Sequence, residues 1–69
     1  MADPERRVYG KDGVFIVSEE PSGAVIAAFY ALEGEPGWWR GHARGRVRQL
    51  FLPGKKPPDV AASFLRNAG

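Results

Sequence analysis

The stretch EPGWWRGHARGRVRQLF, Glu35 to Phe51, holds both tryptophans, four of the seven arginines and the only histidine of a 69-residue chain. No acid interrupts the sequence between Glu35 and Asp59. Gly45 divides the stretch into two runs of strand length, near 38–43 and 46–52. Short hairpin loops need a residue at positive φ, and glycine reaches it without a Cβ clash. The stretch therefore reads as a β-hairpin with a basic turn.

The same punctuation extends toward the N-terminus. Gly10-Lys11-Asp12-Gly13 lies between Arg-Arg-Val-Tyr and Val-Phe-Ile-Val, and Glu20-Pro21-Ser22-Gly23 lies before Ala-Val-Ile-Ala-Ala-Phe-Tyr. Glu33-Gly34-Glu35-Pro36-Gly37 forms a fourth, longer loop. Five short strands follow, near 6–10, 14–19, 24–32, 38–43 and 46–52, a rhythm typical of a small all-β domain. The run 24–32 has alanines that also suit a helix. Val25, Ile26, Phe29 and Tyr30 favour a strand, and Glu33 and Glu35 would oppose the dipole at a helix end. Pro53-Gly54-Lys55-Lys56-Pro57-Pro58 then stops strand formation. A short C-terminal helix is expected over 58–67, with Asp59 in its first turn, Arg66 in its last, and Val60, Phe64 and Leu65 on the face that docks. Residues 1–5 are expected to be disordered and 6–69 to form one domain.

A chain this short buries only about 60% of its unfolded surface. It has no cysteine and one histidine, so no disulfide, thiolate metal site or other cofactor is expected. The absence of cysteine fits a reducing compartment. The opening MADPERRVYG lacks the apolar segment of an export signal. The longest apolar run, Ala24–Leu32, is far short of the ~20 residues that span a bilayer. The expectation is a cytoplasmic protein with no membrane partner.

Net charge is +2, unevenly spread. Residues 1–35 carry three bases and seven acids, and residues 36–69 carry seven bases and one acid. Such asymmetry points to an anionic partner, nucleic acid first.

The hairpin's loop length decides which side chains share a face. A three-residue loop, Ala43-Arg44-Gly45, would pair His42 with Arg46, Arg40 with Arg48 and Trp38 with Leu50. One face would then carry Trp38, Arg40, His42, Arg46 and Arg48, and the other Trp39, Val47 and Phe51. A two-residue loop, Arg44-Gly45, would turn the basic residues of the second strand to the opposite face. Arginine bonds phosphates and base edges through its planar fork. An exposed tryptophan offers a stacking surface or an apolar wedge. The candidate nucleic-acid-binding residues are Trp38, Arg40, His42, Arg44, Arg46, Arg48, Lys55 and Lys56. Nothing in the spacing of His42, Ser18, Ser22 and Ser63 suggests a catalytic triad, and no phosphate-binding glycine loop is present, so no enzymatic role is expected.

Gly37-Trp38-Trp39-Arg40-Gly41, Gly45-Arg46-Val47 and Leu50-Phe51 with Pro53 resemble the second half of SH3 domains. One residue is inserted before Leu50, Gly54-Lys55-Lys56 replaces the family's Ser-Asn-Tyr, and the acidic, tyrosine-rich first loop is missing. The resemblance implies a small five-stranded SH3-like antiparallel barrel, mainly β, with the helix appended. In that family the residue matching Trp38 packs on proline-rich ligands. The layout is also similar to the small basic chromatin proteins of archaea, which bind the DNA minor groove with a sheet face. Asp12-Gly13-Val14-Phe15-Ile16-Val17, Pro36-Gly37-Trp38 and Asp59 to Leu65 resemble MbtH-like proteins, small accessory partners of adenylating enzymes. The functional expectation is a small non-enzymatic nucleic-acid-binding protein, for DNA ahead of RNA. The alternative is a protein–protein interaction or accessory module, SH3-like or MbtH-like, whose Trp38 patch meets either a protein partner or a second copy of the chain.

Overall fold

A computed structural model describes residues 5–67. Five strands, β1 (Glu5–Lys11), β2 (Val14–Glu20), β3 (Ala24–Ala31), β4 (Trp38–Ala43) and β5 (Arg46–Phe51), precede one helix, α1 (Pro57–Asn67). All neighbouring strands pair antiparallel in the order β1-β2-β3-β4-β5. The fold is mainly β, as the turn spacing implied. The sheet does not close into a barrel: β1 and β5 remain its two edges. Most of the segment expected to be disordered lies outside the described residues, but Glu5 pairs with Glu20 as the first residue of β1.

The 24–32 stretch is a strand, as its β-branched and aromatic residues favour. Between Val17 and Ser18 the β2–β3 register shifts: Val17 pairs with Ala27 while Ser18 pairs with Val25. The extra residue, Ile26, packs against the core. A bulge of this kind bends and twists a strand locally.

Strand side chains alternate, so the sheet has two faces. On one, Val17, Ala27, Phe29 and Ala43 are buried. Helix α1 lies on this face against β1, β3 and β4. Its Val60, Ala61, Phe64 and Leu65 are buried, two pairs four residues apart that form one helical stripe. The aromatic rings lock together. Phe29 stacks on Phe64 at 5.7 Å and on Phe15 at 5.5 Å, and Trp39 meets the edge of Phe29 at 5.7 Å. Gly41 lets the helix approach: a Cβ there would stand 2.8 Å from the Phe29 Cβ and 2.9 Å from the Phe64 ring. The helix starts at Pro57, a first-turn residue that gives up no needed N–H. The Lys56 carbonyl accepts from the amides of Asp59 and Val60 at 2.9 and 3.0 Å. Asp59 and Arg66 sit at the ends their charges suit. No helix among the described residues is long and apolar enough to cross a membrane.

The second face carries no helix. Val25, Tyr30, Trp38, Val47 and Phe51 are its exposed large apolar side chains.

Candidate nucleic-acid interface

The β4–β5 hairpin turns on two residues, Arg44 and Gly45, at φ +53° and +77°. Ala43 pairs with Arg46, His42 with Val47, Gly41 with Arg48, Arg40 with Gln49, Trp39 with Leu50 and Trp38 with Phe51. The three-residue loop, which would have gathered Trp38, Arg40, His42, Arg46 and Arg48 on one face, does not form.

Three physical reasons favour the register found. A two-residue turn with both φ values positive matches the right-handed twist of the strands. The register also places Leu50 opposite Trp39, and both pack against the core. It further relieves a like-charge pair, because Arg40 now faces Gln49 on one side and Tyr30 on the other. The cost falls on Arg44, since a non-glycine residue in the left-handed region gives up about 1–2 kcal/mol.

The site residues therefore divide by place. Trp38, Arg40 and His42 project on the helix-free face, and Arg46 and Arg48 on the opposite one, along the β5 edge. Arg40, His42, Arg46 and Arg48 are all exposed. Arg44 stands at the turn. Lys55 and Lys56, also exposed, lie beyond the other end of β5, in the connection to α1. The hairpin is thus basic on both faces and at both ends, and no acid lies on either strand.

The tryptophans separate as their adjacent positions dictate. Trp39 points into the core and Trp38 outward. Trp38 leans on Phe51, with ring centroids 5.3 Å apart and planes tilted by 45°. Gly37 makes room for that pair. Its φ is +84°, and a Cβ there would come within 2.7 Å of the Phe51 ring. The Leu52 amide donates to the Gly37 carbonyl at 2.7 Å and closes this end of the hairpin.

The three-residue loop would have put Val47 and Phe51 on the face of Trp39; instead both are exposed on the same face as Trp38. Tyr30 joins them beside Arg40. On β1, Arg7 sits over the Tyr9 ring at 5.5 Å, a cation–aromatic pair. Alternation from Trp38 would have identified Val47 and Phe51 once the loop length was known. No family model, curated protein or solved structure matches the chain.

Proposed function

We propose that this protein is a non-enzymatic nucleic-acid-binding protein, with DNA as its first ligand, and that the β4–β5 hairpin is its contact surface. One observation carries the reading. Arg40, Arg44, Arg46 and Arg48 extend over both faces and the tip of a hairpin that has no acid and bears an exposed Trp38–Phe51 pair.

The strained turn supports it. Asparagine or glycine would sit at position 44 without the cost borne by arginine. Where a local rule is broken at an exposed basic tip, a function for that charge is the natural explanation. The length of the tract also fits. From Arg46 to Phe51 the strand runs about 17 Å at 3.4 Å per residue, and duplex DNA rises about 3.4 Å per base pair along its axis. Laid along that axis, the strand spans about five base pairs.

Arg46→Glu with Arg48→Glu tests the reading. Both side chains are exposed on an edge strand, so folding should persist while binding to a labelled mixed-sequence DNA falls by more than about tenfold. Undiminished binding by the folded variant would remove the hairpin from the interface.

A second reading has its own support. Val47 and Phe51 are 63% and 55% exposed, which suits an apolar protein contact. That contact would survive the same double substitution.

A further inference from the structure

Along one row of the helix-free face, Ile16, Ala28, His42 and Val47 stand side by side on four strands. Ala28 is the small member, and a shallow depression of about 380 Å³ opens here, lined by Val14, Ala28, Tyr30, Arg40, His42 and Val47 with the Gly41 backbone. Its walls are largely apolar and aromatic. Its rim carries a guanidinium fork and an imidazole, groups that can hydrogen-bond the edge of a heterocycle. Trp38 lies two residues from Arg40 on the same face of β4.

We propose that this face binds single-stranded nucleic acid, with one unstacked base seated over Ala28 and a second, further along the same strand, on Trp38. The proposal rests on the nucleic-acid reading above and specifies the form of the ligand. Three observations favour a single strand over a duplex. The rings on this face can only be used by bases whose own faces are free, and a duplex hides them. Trp38 is 39% exposed and lies against Phe51, so it does not stand out as a wedge for insertion between base pairs. Finally, Ala28 lies opposite His42, four residues along β4 from Trp38, so the two seats are about 13 Å apart along the strand, roughly four times the 3.4 Å step of a stacked strand. A splayed strand matches that spacing.

The charge is placed for a phosphate backbone. Arg40 and Lys11 border the face, while Glu5 and Glu20 pair at its far corner. Glu33 and Glu35 bound the tract in the loop before Trp38.

The test is fluorescence anisotropy with one short mixed-sequence DNA strand, alone and annealed to its complement. It uses the wild-type chain, Ala28→Leu to fill the depression, and Tyr30→Ala to remove its exposed wall. Circular dichroism verifies the fold of each. The proposal expects the single strand to bind about tenfold or more tightly than the duplex, with loss of tryptophan emission. It also expects both variants to weaken the single strand about tenfold while leaving the duplex unchanged. Binding of the duplex as tight as or tighter than the strand overturns the proposal and leaves the basic hairpin as the contact surface. Single-strand binding unaffected by either folded variant also overturns it. Binding of neither form overturns this proposal and the reading beneath it together. Sedimentation showing a dimer that Ala28→Leu dissociates would assign the depression to a second copy of the chain instead.

Discussion

Val47 stands opposite His42 across the β4–β5 ladder, one step from the Gly41 that a three-residue turn would have given it. That step turns every side chain of β5 over. It moves Val47 and Phe51 to the helix-free face, sends Leu50 inward, and carries Arg46 and Arg48 to the other side of the edge strand. The consequence is a hairpin that presents cations in two directions around an aromatic pair.

The turn itself can be tested. Arg44→Asn gives the Asn-Gly sequence that this turn geometry prefers. It should raise stability by about 0.5–1 kcal/mol, because asparagine tolerates the left-handed region. For a domain of this size that is a rise of several degrees in melting temperature, at about 4–8 °C per kcal/mol. If Arg44 contacts a phosphate, the salt slope of DNA binding should also fall by about 1. A lower melting temperature would mean that residue 44 does not occupy this conformation.

The contact between helix and sheet makes a second prediction. Gly41→Ala places a methyl group within 2.9 Å of both Phe29 and Phe64. The Phe29 Cβ with its strand and the Phe64 ring must both give way, at a cost of about 1–3 kcal/mol. Urea titration measures it as a lower midpoint. An unchanged midpoint would show that α1 does not rest on β4 as described.

How much of this was legible follows from particular residues. Glycine at 13, 23 and 45, together with the β-branched and aromatic runs between them, marked all five strands to within a residue or so. Asp59, Arg66 and the stripe from Val60 to Leu65 marked the helix. The register at Gly45 was not legible, because the sequence is compatible with both the three-residue loop Ala43-Arg44-Gly45 and the two-residue turn Arg44-Gly45. Nor did periodicity reveal the open face. In β2, Val14, Phe15, Ile16 and Val17 are apolar on both sides, so alternation does not say which side the helix covers. The barrel expected from the GWWRG and GRV resemblance needed closure, and closure depends on strand pairings far apart in sequence. Among the site residues, Trp38, Arg40 and His42 do share a face; Phe51 was missed because it depended on the unread register, and Tyr30 because its place beside Arg40 rests on the β3–β4 pairing.

The adjacent tryptophans should behave oppositely. Trp38→Ala should leave the melting temperature nearly unchanged while weakening nucleic-acid binding by about 1–3 kcal/mol, the range for one stacked base. Trp39→Ala should instead destabilise the fold by about 3 kcal/mol, since it removes a ring packed on Phe15 and Phe29. Paired thermal melts and binding titrations would show it. Equal effects of the two substitutions on stability would contradict the inward–outward assignment.

The most direct test of the basic hairpin as a nucleic-acid surface is the salt dependence of binding by the unaltered protein. Arg40, Arg44, Arg46, Arg48, Lys55 and Lys56 together predict five or six phosphate contacts. Plotted as log affinity against log salt, binding should fall with a slope of about −5 on duplex DNA, and about −4 on a single strand, from roughly 0.9 and 0.7 counterions released per contact. A slope near zero, or no binding at low salt, would contradict the account.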